Sequence, residues 1–168
     1  MLHPQPWLEL PAAARELYSL GMGISTGLLL VAVTRWAVLR WSWMKRLHSD
    51  LRPVARGLTP FAAIVVAFFS SVAEELLFRG LLQLWLGLGI QALIFALLHY
   101  LPGPSRWTWA LSAGVVGLVF GLMFKLTGSL TGPVVAHFLV NAINLIYLKS
   151  HDPDPRRPAL GGLLGQRS

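Results

Sequence analysis

A cluster of ionisable residues interrupts an otherwise apolar part of the chain. Glu74, Glu75 and Arg79 follow the apolar run of residues 60–69 and precede the apolar residues of positions 81–88. An ionisable side chain at the centre of a membrane helix costs at least ~2.5–3.5 kcal/mol on insertion scales. Three such residues in less than two helical turns therefore indicate a functional site.

The spacing of these charges predicts different roles for the two glutamates. On a helix, Glu75 and Arg79 are four residues apart and face each other with the acid first, which is the favourable order. Glu74 points about 100° away and has no partner in its own helix. A buried carboxyl without a partner suits a general acid or base. The alternative is that Glu75 and Arg79 only hold two helices together, with Glu74 facing a loop or water.

Two later apolar segments add polar residues of complementary chemistry. His99 follows the apolar residues 92–98, and His137 and Asn141 lie four residues apart, on one face of the segment 133–149, with Asn144 further along. A glutamate beside a histidine can activate water, because the carboxylate takes the proton while the imidazole orients the water. A second histidine with an asparagine can stabilise a developing oxyanion. These are the parts needed to hydrolyse an amide.

The composition predicts a membrane protein. The chain has 168 residues, of which 55% are hydrophobic and 12% charged, and its mean hydropathy is +0.60. Such a chain is too apolar for a soluble domain of this length. The absence of cysteine excludes disulfides, a thiolate nucleophile and a cysteine-bound metal. Residues 1–16, with three prolines and two acids, do not resemble a cleavable signal peptide.

These patterns predict an all-α membrane bundle of about five transmembrane helices in one domain. We expect an interfacial N-terminal lead at 1–16, the transmembrane domain at 17–149, and a disordered polar tail at 150–168. The apolar segments within the domain are 17–39, 60–86, 90–101, 107–126 and 133–149.

Residues 87–89, Gly-Leu-Gly, are the best candidate for a tight turn between the second and third apolar segments. Glu74 lies 13 residues before Gly87, and His99 lies 12 residues after it. In an antiparallel hairpin these two side chains would lie at similar depth. The spacing therefore allows a contact between Glu74 and His99.

The glycines of two apolar segments predict close helix packing. They are Gly21, Gly23 and Gly27 in the first segment, and Gly114, Gly117 and Gly121 in the fourth.

Basic residues cluster in the segment 40–57, which reads as a loop with five arginines or lysines and one aspartate. Three tryptophans lie at its edge, as aromatic residues do at membrane interfaces. The positive-inside rule places this loop inside, which puts the N-terminus outside and the C-terminus inside. The net charge of +7 fits topology and anionic lipid better than nucleic acid.

Three motifs on successive apolar segments resemble those of the CAAX-protease and bacteriocin-processing (CPBP/ABI) family of intramembrane glutamic-type endopeptidases. They are Glu74-Glu75-x-x-x-Arg79, Phe95-x-x-x-His99 and His137-x-x-x-Asn141. The resemblance covers about residues 58–148. It implies that Glu74 is the catalytic carboxylate, His99 its partner, and His137 with Asn141 the oxyanion hole, while Glu75 and Arg79 are structural.

The resemblance also implies the setting of the enzyme. We expect a multi-pass protein of the bacterial inner membrane that needs neither metal nor cofactor, acts on a membrane protein or peptide within the lipid bilayer, and does not bind nucleic acid. The chain is shorter than prenyl-protein endopeptidases of the family. Its size is similar to that of myxosortase-like members, which process C-terminal sorting tails; maturation of bacteriocins or peptide pheromones is the other option.

Three alternatives follow from the same residues. Glu74, His99 and His137 could form a two-histidine, one-carboxylate zinc site, although the chain has no His-Glu-x-x-His motif. The motif residues could instead serve a non-catalytic protein for bacteriocin immunity or transport. A serine protease using Ser70 or Ser71 has the weakest support, and His3, His48 and His151 lie in predicted loops.

Overall fold

Most of the described residues are helical, because backbone groups in an apolar environment must be satisfied within their own segment. The computed structural model describes residues 6–100 and 102–153. The helices are α1 (Ala12–Arg40), α2 (Ser42–Arg56), α3 (Pro60–Glu75), α4 (Gln83–Leu98), α5 (Arg106–Thr127) and α6 (Thr131–Ser150), with a π-helical segment (Leu76–Leu82) joining α3 to α4. These residues contain no strand, so the predicted all-α class is confirmed.

Four helices in the described part of the chain are long and apolar enough to cross a membrane. They are α1, the continuous stretch Pro60–Leu98, α5 and α6. The stretch Pro60–Leu98 is bent within α4, so it consists of two apolar segments, which we call the arms of a hairpin. With α1, α5 and α6 they make five apolar segments, which correspond to the predicted ones.

The bend lies at Gly87, within the predicted turn. Its backbone has φ 81° and ψ 171°, a left-handed conformation that glycine adopts without steric cost. The chain folds back on itself here, since the rings of Phe78 and Phe95 lie 4.7 Å apart across the hairpin. The turn that brings Glu74 and His99 to similar depth is thus confirmed.

The expectation of a loop at residues 40–57 is wrong, because residues 42–56 form α2. Leu47, His48 and Ala55 are buried on one face of this helix, and Arg52 is half-buried on the same face. The other charged side chains, those of Lys45, Arg46, Asp50 and Arg56, are exposed. His48 is therefore a buried helical residue and not a loop residue. The apolar spacing of positions 47, 51 and 55 was the signal for this helix, but the density of basic residues obscured it.

Two helix ends lie near the predicted domain boundaries. Helix α1 begins at Ala12, so the last residues of the expected lead belong to a helix. Helix α6 ends at Ser150, and the rest of the predicted tail from residue 154 lies outside the described residues, as do His3 and Leu101.

Glycine allows the close approach of helices in two places. A Cβ on Gly23 would lie 2.5 Å from the carbonyl oxygen of Gly132, so the backbones of α1 and α6 are in contact. On α5, Gly117 packs against the ring of Phe95 in α4. Gly21 has no neighbour within 4 Å of its Cβ position, so the expectation of close packing there is wrong.

Substitution of Gly23 by Ala is expected to destabilise the protein by about 1–3 kcal/mol, because the added methyl group meets backbone that cannot move aside. Gly21→Ala is the matched control, and we expect a neutral effect or a stabilisation of up to about 1 kcal/mol from helix propensity. Thermal unfolding of the detergent-solubilised variants, followed by circular dichroism, measures both. Equal melting temperatures for the two variants would contradict this packing.

Candidate active site

Glu74 lies between two histidines that come from different helices. Its Oε2 atom is 3.7 Å from Nε2 of His99, at the end of α4, and 3.9 Å from Nε2 of His137, on α6. Both distances are too long for direct hydrogen bonds. The structure nevertheless brings together three of the four predicted catalytic side chains.

The other ring nitrogens fix the orientation of both imidazoles. Nδ1 of His99 donates to the carbonyl oxygen of Phe95 at 2.8 Å, and Nδ1 of His137 donates to Oε1 of Glu75 at 2.7 Å. We assign these tautomers because a carbonyl and a carboxylate can only accept. Both histidines consequently direct Nε2 at the same oxygen of Glu74.

Glu75 and Arg79 form the expected ion pair, with Nη1 of Arg79 2.9 Å from Oε1 of Glu75. Both side chains are fully buried. The second guanidinium nitrogen, Nη2, donates to the carbonyl oxygen of Gly117 at 3.0 Å. The contact of Glu75 with His137 was not predicted. It makes the pair a support for a site histidine as well as a link between helices.

The π-helical segment begins directly after Glu75. Such segments are rare and are frequent at functional sites. Gln83 directly follows this segment, and its Nε2 atom donates to the carbonyl oxygen of Gly121 in α5 at 2.8 Å. Gly121 lies one helical turn after Gly117, the residue that Arg79 contacts. Gln91 of α4 donates to the carbonyl oxygen of Gly117 at 3.3 Å. Neither glutamine was predicted to join the site, although an amide side chain inside an apolar helix is a signal for a polar contact.

Aromatic rings pack against His99 and against the buried ion pair. The ring of Phe95 lies 4.2 Å from the ring of His99 and 4.8 Å from the Cζ atom of Arg79. Trp109, near the start of α5, lies 5.8 Å from the ring of His99. These rings exclude water from the ion pair and restrict the motion of His99.

Asn141 lies one helical turn after His137 on α6. Its Nδ2 atom donates to Oγ of Ser70 at 3.4 Å, and Ser70 lies one helical turn before Glu74. The hydroxyl of Ser70 itself donates to the carbonyl oxygen of Ala67, not to a histidine. For Asn144 the described part of the chain contains no side-chain hydrogen bond, so it does not join this cluster.

The Glu74–His99 pair and the Glu75–Arg79 pair differ in their exposure to solvent. The side chains of Glu74 and His99 are 29% and 23% exposed, whereas those of Glu75 and Arg79 are 0% exposed. The Glu74 and His99 side chains thus reach the protein surface, whereas the Glu75–Arg79 pair does not. Oε2 of Glu74, which faces both histidines, is buried and has no hydrogen-bond partner among the described residues. Within residues 6–100 and 102–153, no group of three or more histidine, aspartate or glutamate side chains is arranged to hold a metal ion.

The comparisons with known proteins agree on one family. Residues 56–143 match the sequence profile described as "Type II CAAX prenyl endopeptidase Rce1-like". The uncharacterized protein YpbD of Bacillus subtilis (strain 168) is 32% identical over 136 residues, which are 77% of this chain and 68% of that protein. No solved structure matches the chain. The profile match contains the three motifs around Glu74, His99 and His137.

Removal of the Glu75 carboxylate is expected to destabilise the fold by about 3–5 kcal/mol, because Glu75→Ala leaves the guanidinium of Arg79 buried without a counter-charge. Glu74→Ala is the control from the adjacent position, and we expect a change below about 1 kcal/mol, since the Glu74 side chain is 29% exposed and its Oε2 atom has no hydrogen-bond partner among the described residues. Chemical unfolding in detergent measures both. A larger loss in Glu74→Ala than in Glu75→Ala would reverse this assignment.

Proposed function

We propose that this chain, which belongs to the family of Rce1-like type II CAAX prenyl endopeptidases, cleaves a membrane-associated protein or peptide by a glutamate-activated water. The family and the apolar helices make the chain an integral membrane protein, and the family implies protease activity on a membrane-embedded protein. The glutamate mechanism and the role of each residue are our proposal. The observation that carries it is the approach of His99 and His137 to one oxygen of Glu74, at 3.7 and 3.9 Å.

A water molecule hydrogen-bonded to Glu74 and to one imidazole is the proposed nucleophile. Glu74 accepts a proton from this water as its oxygen forms a bond to the carbonyl carbon of the substrate. The carbon–nitrogen bond then breaks, and the same proton passes to the departing amine through Glu74 or His99. Atoms and charges balance without a further reactant.

His137 and Asn141 are the proposed donors to the oxyanion. As an oxyanion donor, His137 must carry protons on both ring nitrogens, with Nδ1 donating to Glu75 and Nε2 left to donate to the substrate. Nδ2 of Asn141 has a second hydrogen beyond the one donated to Ser70. Arg79 acts through Glu75, which it holds in place, and so positions His137 without touching the substrate.

For the substrate, we favour a C-terminal sorting tail made of a short motif, a membrane helix and basic residues. Precursors of bacteriocins or peptide pheromones are the second option. We place the protein in the bacterial inner membrane with its basic α2 inside and its N-terminus outside.

Substitution of Glu74 by Gln or Ala is expected to abolish cleavage, with a rate loss of at least about 10²-fold, because the general base is lost. Comparative proteomics of membrane fractions from wild-type and variant cells identifies the protein termini that disappear. Glu16→Gln is the control, because it changes a carboxylate near the N-terminal end of α1. We expect this variant to keep these termini.

Two outcomes would contradict this function. Unchanged termini in a Glu74→Ala protein that still folds and inserts would favour a non-catalytic role in immunity or transport. Loss of cleavage with a chelator, restored by zinc, would favour the metalloprotease alternative.

Asn141→Ala is expected to lower kcat about 10²–10³-fold with little change in KM, because an oxyanion donor acts only in the transition state. Asn144→Ala, one turn further along α6, is the matched control and keeps wild-type kcat. Steady-state kinetics on a peptide identified by the proteomic experiment measures both. An equal loss in the two variants would remove Asn141 from the oxyanion hole.

A further inference from the structure

One face of α2 closes the end of α6. Nε2 of His48 donates to the carbonyl oxygen of His151 at 3.1 Å, and Nε of Arg52 donates to that of Leu148 at 3.2 Å. Carbonyl groups at a helix C-terminus lack partners within the helix, so α2 satisfies groups that α6 leaves free. Burial lowers the pKa of His48, which keeps this side chain neutral at pH 7.

The opposite side of the same region is cationic and exposed. We call it the basic face; it consists of Arg40, Lys45, Arg46 and Arg56. In the described ranges 6–100 and 102–153, none of these four side chains forms an ion pair with an acid. Asp50 is the one acidic residue of α2, so the face keeps a strong positive charge.

Three exposed tryptophans border the basic face where α1 ends and α2 begins. The rings of Trp36 and Trp41 lie 5.0 Å apart, and those of Trp41 and Trp43 lie 5.3 Å apart. Tryptophan concentrates at the headgroup level of membranes because its ring is apolar while its N–H is polar. Since α1 is a candidate membrane span, its end and these rings lie at the level of the headgroups.

We propose that the basic face and the adjoining tryptophans form a binding surface for the phosphate headgroups of anionic lipids. Each lysine or arginine near an anionic membrane surface adds attraction to the lipid phosphates. Anionic lipid suits this surface better than nucleic acid does, because the tryptophans and the end of α1 hold the basic face against the bilayer.

Lipid binding at this surface stabilises the part of the bundle that supports the proposed site. Helix α2 contacts the last carbonyl groups of α6, and α6 carries His137 and Asn141. A headgroup that immobilises α2 therefore opposes fraying of the end of α6. The inference concerns lipid and stability, so it stands whether or not the chain is a protease.

The test uses the full chain in a neutral detergent with added phosphatidylglycerol or phosphatidylcholine. We expect phosphatidylglycerol to raise the melting temperature and to remain bound in native mass spectrometry, and phosphatidylcholine to do neither. The double variant Lys45→Gln/Arg46→Gln should bind phosphatidylglycerol about fivefold more weakly for each cation removed. Arg15→Gln/Lys125→Gln, at the other end of the bundle, should bind as the wild type does.

Several results would overturn the inference. They are equal stabilisation by the two lipids, unchanged phosphatidylglycerol binding in the α2 variant, the same stabilisation by inorganic phosphate alone, and displacement of the lipid by a short RNA or DNA duplex. If the α2 variant fails to fold, the wild-type titration decides: binding must weaken as salt rises, and salt-independent binding contradicts the proposal.

Discussion

The buried guanidinium of Arg79 is the interaction on which the rest of the site depends. A charge in apolar surroundings is tolerated only when it is paired and hydrogen-bonded. Glu75 supplies the counter-charge, and the carbonyl oxygen of Gly117 accepts a further hydrogen bond. The same carboxylate accepts from His137, so the need to neutralise one arginine also orients a histidine on a third helix. Glu75 thus both neutralises Arg79 and orients His137.

The hairpin at Gly87 brings together residues that are far apart along the chain. On a straight helix, Glu74 and His99 would be about 37 Å apart at about 1.5 Å per residue. The reversal of the chain brings Oε2 of Glu74 to 3.7 Å from Nε2 of His99. Packing of α5 against the hairpin depends on Gly117 and Gly121, where side chains of α4 occupy the space that a Cβ would need. The polar residues can meet only because the helices that carry them approach this closely.

The sequence was sufficient for features determined within one helix or one turn. The facing of Glu75 and Arg79 follows from helical spacing, and the similar depth of Glu74 and His99 follows from their distances to Gly87. It was insufficient for features that depend on helix rotation and crossing, such as the contact of Glu75 with His137. The π-helical segment has no residue pattern of its own. Helix α2 was missed because its charge masked its apolar face.

A cross-linking experiment tests most directly whether Glu74 and His99 share one pocket. The natural chain contains no cysteine, so the only thiols are those introduced. Glu74→Cys with His99→Cys is compared with Leu76→Cys with His99→Cys, where Leu76 is 53% exposed on the other side of the hairpin arm. With a short bifunctional thiol reagent and mass spectrometry of the intact chain, we predict an intramolecular cross-link in the first variant alone. Cross-linking of the second variant but not the first would contradict the convergence of these side chains.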